Sequence, residues 1–410
     1  VQPPDGNHLE ESGGDGGMIK RTLQELCLNI TDGKHGDCEN EENSGYYFIS
    51  CKDIFDGQIN YKNARQITKA DFEETHKRTM LEVDDILLTN SGTIGRMAFV
   101  ADREATTKTT FQKSVAIIKP DKQKVLPRYL YYQLQNCVPQ FINSSNGSAQ
   151  KNLLLSTMRT FQIEIEENRE KQEKITNTLS AYDDLIENNQ RQIKLLEEAA
   201  QRLYKEWFVD LCFPGHENTE IVDGVPEGWN EKTLSQVANV IMGQSPKSEF
   251  YNSEKKGLPF HQGVGSYGVR FVMDDIYSTS YTRIAEPNSI LFSVRAPVGR
   301  LNITKNKVVI GRGLAAINQT DGCQSYLYYL LKNKFFKDNI VGNGSIFASV
   351  SKDELLNQKF LIPERNLMMQ FEKIVSQMDK QIENLDSKNK KLIEARDRLL
   401  PKLMSGEVEV

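Results

Sequence analysis

No stretch of the 410 residues approaches the roughly eighteen apolar positions that a membrane-spanning helix needs, so a membrane span is excluded. The first seventeen residues are polar, acidic and glycine-rich and lack the basic start and apolar centre of a secretion signal. Met18, followed by Ile19-Lys20-Arg21, is the more natural start, and residues 1–17 read as a disordered leader or a cloning scar. Cysteine is scarce: Cys27, Cys38, Cys51, Cys137, Cys212 and Cys323 form no C-x-x-C and no zinc spacing. Scattered free thiols fit a reducing cytoplasm. The five histidines show no i, i+4 metal spacing and no G-x-S-x-G partner. There is no G-x-x-x-x-G-K-[ST] phosphate loop. The Asn/Asp-Pro-Pro-aromatic motif and Gly-rich cofactor loop of a base methyltransferase are also missing, Pro3-Pro4 being followed by Asp5. Acid-x-Lys fragments such as Asp121-Lys122-Gln123-Lys124 are expected by chance at 26% charged residues. The sequence therefore predicts no catalytic centre and no bound metal or cofactor.

Net charge is −5, but the acid is unevenly spread. Residues 1–17 carry four acids and no base, and residues 164–210 carry 7 bases against 12 acids. Residues 18–163 hold 19 bases and 17 acids, residues 211–363 hold 16 and 14, and residues 364–410 balance at 9 and 9. Both globular stretches are thus slightly positive, which leaves a nucleic-acid partner open, because what matters is a local basic face.

The chain is written twice. ILLTNSGTIGR at 86–96 aligns without a gap on ILFSVRAPVGR at 290–300. In the same order, TLQEL from Thr22 matches TLSQV from Thr233, and YLYYQL from Tyr129 matches YLYYLL from Tyr326. Asn146-Gly147-Ser148 then matches Asn343-Gly344-Ser345, and EAAQRL from Glu198 matches EARDRL from Glu394. Five ordered matches are an internal duplication. Each half reads as a mixed α/β globular part, with strands at Ile86–Thr89 and Ile290–Ser293 entering Gly-bearing turns, followed by a long helix. The Gly- and Pro-rich stretch from Pro214 to Trp229 reads as a linker. The expected divisions are a globular part at 18–163, helix at 164–210, linker at 211–228, second globular part at 229–363, helix at 364–406 and a tail at 407–410.

Both helices carry a strict 4–3 spacing. Ile175, Leu179, Tyr182, Ile186, Asn189, Ile193, Leu196, Ala200, Leu203 and Trp207 form the first seam. Phe371, Val375, Met378, Ile382, Leu385, Asn389, Leu392, Arg396, Leu399 and Leu403, all 196 residues later, form the second, with Pro401 opposing its last turn. A seam this narrow and this long predicts a coiled coil rather than two helices on separate cores. Parallel pairing would set Asn189 against Leu385 and strand an amide. Antiparallel pairing sets Asn189 against Asn389, Trp207 against Phe371, Ala200 against Met378 and Tyr182 against Arg396, so antiparallel pairing is expected.

Polar loops recur at matched places. Ser91-Gly92-Thr93-Ile94-Gly95-Arg96 corresponds to Arg295-Ala296-Pro297-Val298-Gly299-Arg300, and Lys108, Thr109, Thr110, Gln112 and Lys113 to Gly311-Arg312-Gly313. Gly33-Lys34-His35-Gly36, Gly243-Gln244-Ser245-Pro246-Lys247 and His261-Gln262-Gly263 complete the set. Arginine can grip guanine O6 and N7 at once, and neighbouring glycine lets backbone approach phosphate. The candidate DNA-contacting residues are Lys34, His35, Ser91, Thr93, Arg96, Lys108, Thr110, Gln112 and Lys113 in the first half. In the second they are Gln244, Lys247, His261, Gln262, Arg295, Arg300 and Arg312. His35 and His261 are read as hydrogen-bonding side chains, not as ligands or bases.

The L-x-E-[LV] opening of each half, the D-I-L-L…G-x-I-G-R segment and Y-L-Y-Y-x-L ahead of N-G-S resemble the specificity subunits of type I restriction-modification enzymes. So do Ile362-Pro363-Glu364…Gln370 entering the second helix and P-E-G-W at 226–229. The resemblance runs from Met18 to about Gly406 and departs at Ile165-Glu166-Glu167, where the family usually has Ile-Pro. It implies an α+β chain of two target recognition domains in tandem, each reading one half of an asymmetric bipartite site on double-stranded DNA. An antiparallel coiled coil would space them, about 33 helical residues spanning about 50 Å. It further implies two methyltransferase subunits binding S-adenosylmethionine and two translocase–nuclease subunits using ATP and Mg, with catalysis in those partners. A scaffold whose duplicated domains bind protein is the other reading that these residues allow.

Overall fold

The computed structural model describes residues 17–145, 151–335 and 349–410. Residues 1–16 and the matched triplets Asn146-Gly147-Ser148 and Asn343-Gly344-Ser345 lie outside the described residues. The chain divides into two compact units, Val1–Glu187 with Asn389–Val410, and Asn188–Lys388.

The first unit runs β1 (Met18–Thr22), β2 (Cys27–Asp32), β3 (Tyr47–Ile49), α1 (Lys69–Thr79), β4 (Ile86–Thr89), β5 (Met97–Phe99), β6 (Thr109–Phe111), β7 (Val115–Pro120), α2 (Pro127–Asn136) and β8 (Gln162–Glu166), then enters α3 (Arg169–Phe208). An antiparallel sheet of order β2-β7-β4-β5 forms its centre. A second sheet holds β3 and β6 parallel, Tyr47 opposite Thr109 and Ile49 opposite Phe111. β1 pairs with β8, Met18 opposite Glu166.

The second unit repeats this plan with β9 (Asn230–Thr233), β10 (Ala238–Met242), β11 (Leu258–His261), β12 (Ile290–Ser293), β13 (Leu301–Ile303), β14 (Val308–Ile310), β15 (Leu314–Gln319), α4 (Gln324–Phe335) and β16 (Lys359–Ile362), ahead of α5 (Arg365–Met404). Its central sheet is ordered β10-β15-β12-β13, β11 and β14 are its parallel pair, and β9 pairs with β16. The duplication read from five short matches is therefore a duplication of topology. α1 has no counterpart of its length between Gly263 and Ile284.

The central strands read as unbroken apolar runs because both faces are buried. Ile86, Leu88, Ala116 and Ile118 pack with Tyr129 and Tyr132 of α2, while Leu87, Val115 and Ile117 pack on the other side with Ile49 and Phe111. In the second unit Ile290, Phe292, Ala315 and Ile317 pack with Tyr326 and Tyr329, and Leu291, Leu314 and Ala316 with Val308 and Ile310.

Each long helix is 40 residues, about 60 Å. The first starts at Arg169, later than the expected 164, because Gln162–Glu166 is committed to the β1 ladder. Asn168 then caps it, its Oδ1 accepting from the Glu170 and Lys171 amides at 2.9 and 3.2 Å. The second helix, which ends at Met404 within the expected 364–406, continues through Pro401, the residue that opposes its last turn. The apolar turn beyond it, Leu403 and Met404, is buried in the first unit's core and holds the helical path. The stretch expected as a plain linker contains a hairpin, Ile221–Val222 with Val225–Pro226, between buried Phe213 and Trp229.

Every seam position of both helices is buried or half-buried. Within the first unit Ile175 and Leu179 share a core with Leu399, Leu400 and Leu403. Asp183 accepts from Arg396 Nη1 at 2.7 Å and from the Tyr132 hydroxyl at 2.6 Å. Asn389 Nδ2 donates to the Ile186 carbonyl at 3.3 Å, and Asn189 is likewise buried. Within the second unit the rings of Trp207 and Phe371 meet edge to face at 6.0 Å, and Ala200 and Leu203 share a core with Val375 and Met378.

Arg270 ties the second unit together. It is 2% exposed, ion-paired to Glu197 of α3 at 3.2 Å and to Asp379 of α5, bonded to the Tyr329 hydroxyl at 3.1 Å and stacked over Tyr328 at 4.5 Å. Removing one partner of a buried ion network leaves the others uncompensated. Arg270→Ala should therefore destabilise this unit by roughly 3–5 kcal/mol, and Arg270→Lys by less. Both tryptophans, Trp207 and Trp229, belong to this unit. Urea unfolding followed by their fluorescence reads the effect directly, and an unchanged midpoint would remove Arg270 as its anchor.

Candidate nucleic-acid interface

In each unit the loops singled out above converge on one rim, held together through backbone. In the first unit the Lys34 amide donates to Phe111 O at 2.8 Å, Gln112 to Ile49 O at 2.8 Å, Lys113 to Lys34 O at 3.1 Å and Asn90 to Ser114 O at 3.1 Å. In the second, Gln244 donates to Ile310 O at 3.0 Å, Gly311 to His261 O at 2.8 Å, Gly313 to Gln262 O at 3.2 Å and Val294 to Gly313 O at 2.9 Å. Loops 33–36, 49–51, 90–96 and 111–114 are thus the structural counterparts of 243–247, 261–263, 294–300 and 310–313.

The strand-to-loop corner uses the same device twice. Thr89 Oγ1 accepts from the Arg96 amide at 2.9 Å, and Ser293 Oγ from the Arg300 amide at 2.8 Å. Gly95 and Gly299 donate to the carbonyls of Thr89 and Ser293, each at 3.0 Å. These glycines sit at φ +93° and +86°, so backbone conformation requires them, not the approach of a phosphate. Thr89 and Ser293 were missed as organising residues, although their aligned hydroxyls were visible in the repeat.

The expected contact residues fall into three groups. Thr93, Arg96 and Lys113 of the first rim and Gln244, Lys247, Gln262, Arg295 and Arg312 of the second are exposed. Ser91, Gln112 and Arg300 are half-buried beside them. Arg96 rests an Nη1 on the Cys51 carbonyl at 3.4 Å, while no hydrogen bond or ion pair holds the guanidinium of Arg295 or Arg312 among the described residues. Lys34 and His35 reach the rim but are tied to neighbours. Lys34 bridges Asp71 and Glu74 of α1, each at 3.3 Å, and against slight burial those bonds hold its ammonium above the ordinary range. His35 Nε2 lies 2.9 Å from buried Asp32.

Three expectations need correction. Thr110 is fully buried and shares a 3.3 Å hydrogen bond with Thr79, since its place on β6 turns it inward. His261 is also fully buried, at the end of β11, between Ser266 Oγ at 2.8 Å and Asp274 Oδ1 at 3.2 Å. Lys108 lies beyond the far end of β6 from Gln112, about 13 Å along the chain, next to Glu104. None of the three can touch a ligand at the rim.

Among the described residues there is no group of three or more His, Cys, Asp or Glu placed to hold a metal, and no helix long and apolar enough to cross a membrane. What the rims offer is donors and acceptors on short, closed loops, which suits base edges and phosphates.

The comparisons with known proteins agree with this arrangement. The family model described as "type I restriction modification DNA specificity domain" matches residues 19–198 and again 226–395. A putative type I restriction enzyme specificity subunit, MjaX, from Methanocaldococcus jannaschii is 27% identical over 401 residues, covering 95% of this chain and 93% of that protein. The MjaIX specificity subunit of the same organism is 28% identical over 383 residues, covering 88% of this chain and 87% of its own. Among solved structures, the S subunit of a type I restriction-modification system from M. genitalium shares the fold at TM-score 0.56 and 18% identity, over 96% of this chain and 97% of that one. Each matched stretch covers one structural repeat and ends inside its long helix, and the chain belongs to the family of type I restriction-modification specificity subunits.

Proposed function

We propose that this chain reads an asymmetric, bipartite sequence on double-stranded DNA, one half-site per rim, and positions methyltransferase subunits on it. The observation that carries this is one scaffold occurring twice with different side chains at matched places, Ser91 against Arg295, Thr93 against Pro297 and Ser50 against Gln262. Identical closure with unlike surfaces suits two readers of unlike sequences. Catalysis, S-adenosylmethionine, ATP and Mg are assigned to two methyltransferase and two translocase–nuclease partners. We further assign the divisions 18–163, 164–210, 211–228, 229–363 and 364–406 to the first recognition domain, the segment carrying the spacer helix, linker, second recognition domain and the segment carrying the second helix, the helices themselves beginning at Arg169 and Arg365.

In this reading the two long helices pair as an antiparallel coiled coil that spaces the half-sites. Support comes from contacts inside each unit, where residue numbers rise on one helix as they fall on the other: Leu179 with Leu399 and Leu403, then Ile186 with Asn389, and Ala200 with Met378, then Trp207 with Phe371. At about 60 Å each helix exceeds one DNA turn of roughly 34–36 Å.

Replacing Arg295 with alanine should relax base choice in one half-site by about 1–3 kcal/mol if its contact is bidentate. Mapping of methylated adenines reads this, and an unchanged target at unchanged efficiency removes Arg295 from the readers. The purified chain should bind duplex DNA with salt-dependent affinity yet neither methylate nor cleave it, activity appearing on addition of methyltransferase subunits. Methyl transfer by the chain alone, contamination excluded, would overturn the assignment. For the seam, Asn189→Leu should cost roughly 1–3 kcal/mol of stability by stranding an amide. The double change Asn189→Leu with Asn389→Leu should recover most of it and loosen half-site spacing. Additive losses in urea titrations would refute the paired amides.

A further inference from the structure

The second rim holds one polar side chain in a fixed attitude. The Arg312 amide donates to Ser245 Oγ at 3.2 Å, and that hydroxyl donates to Gln262 Oε1 at 2.8 Å. The order is directional. A backbone N–H fills a lone pair of the serine oxygen and leaves its hydrogen to go forward, and such chains polarise and strengthen each other. With the amide turned over, Nε2 could still donate to the second lone pair of Ser245 Oγ, but the serine hydrogen would lose its acceptor there. The chain therefore favours one orientation of the Gln262 amide by the hydrogen bond that the serine hydrogen makes only there.

The backbone around it is built to that side chain. A Cβ on Gly311 would stand 2.7 Å from Gln262 Oε1, and one on Gly313 would stand 2.5 Å from the Gln262 carbonyl. Both neighbours of Arg312 must be glycine for Gln262 to lie where it does. Gln262 is nevertheless exposed, with Nε2 making no hydrogen bond among the described residues and one lone pair of Oε1 still open. The outward face is then one donor beside one acceptor, rigidly spaced. In the major groove that pattern is complementary to adenine, N7 taking the donor and N6–H meeting the acceptor. The first rim has no such chain: its counterpart of Gln262 is Ser50, whose hydroxyl turns back to Asp53 at 2.7 Å.

We propose that Gln262 reads an adenine of the second half-site through its side-chain amide, and that Ser245 is the positioning residue that holds this amide in the reading orientation. This rests on the recognition function proposed above. Preorganisation of this kind adds specificity without a new contact, because the amide need not be ordered on binding.

The test uses the full chain assembled with its methyltransferase subunits, on a duplex whose sequence is taken from its own methylation map. Each adenine of the target is replaced in turn by 7-deaza-adenine, which lacks only the N7 acceptor, and binding is measured by competition. The wild-type complex should show one adenine in one half-site where this weakens binding about 5- to 100-fold. Gln262→Ala should lose sensitivity at that position alone. Ser245→Ala should show a reduced sensitivity at the same position, and Ser245→Thr, which keeps the hydroxyl, should retain it. Gln262→Glu, isosteric but without the donor, should behave as Gln262→Ala and guards against a packing effect. A Gln262→Ala complex that keeps every sensitivity, or whose losses fall at a guanine, overturns the adenine assignment while the recognition function stands. A Ser245→Ala complex indistinguishable from wild type overturns the positioning role. A wild-type complex with no sequence preference overturns the recognition function and this inference with it.

Discussion

A backbone amide or carbonyl leaving a strand must find a partner before it can be left dry, and in this chain the loops find partners in each other. The Gln112 amide reaches Ile49 O and the Gly311 amide reaches His261 O, both at 2.8 Å, just where the parallel pairs β3–β6 and β11–β14 end. The remaining loops then hang on this junction, through Lys34 and Asn90 in one unit and Gln244 and Val294 in the other. Because main chain holds main chain, side chains such as Arg96, Arg295 and Arg312 are left to face outward.

Much of this was legible in sequence, for a particular reason. Strands with both faces buried leave dense apolar runs, and a duplication lets two weak readings confirm each other. Ile86–Thr89 and Ile290–Ser293 were accordingly read to the residue. The converging loops were legible as polar breaks at matched places. What escaped was set by partners distant in sequence. Thr110 looks like any loop threonine until β3 pairs beside it and turns it onto Thr79. His261 stands next to the exposed Gln262, and strand alternation alone puts one inside and the other out. Arg270 satisfies acids 73 and 109 residues away, a juxtaposition that no local pattern announces. Pro401 opposes the last helical turn by local propensity, and tertiary burial of Leu403 and Met404 overrides it.

The repeats also show how two copies keep an architecture while changing its fastenings. Asp183 and Asp379 are equivalent by the 196-residue shift. Asp183 receives Arg396 from the other long helix and the hydroxyl of Tyr132, while Asp379 receives Arg270 from the globular part. A helix present in one copy, α1, binds Lys34, and among the described residues the equivalent Gln244 has no such helix beside it. A half-buried carboxylate must be answered, but either neighbour can answer it.

The corner hydroxyls of Thr89 and Ser293 have a bearing on how such a protein changes over time. Each closes its loop by receiving a main-chain amide, so the loop's closure does not depend on the side chains at its exposed positions. Substitutions at Thr93 or Arg295 fall on exposed positions that support nothing beneath them, where stability changes are usually within about 0.5 kcal/mol. Mutation can therefore wander freely over the tips without crossing the threshold for folding. The lineage can try new targets one residue at a time, and selection acts on what is read rather than on whether the chain survives.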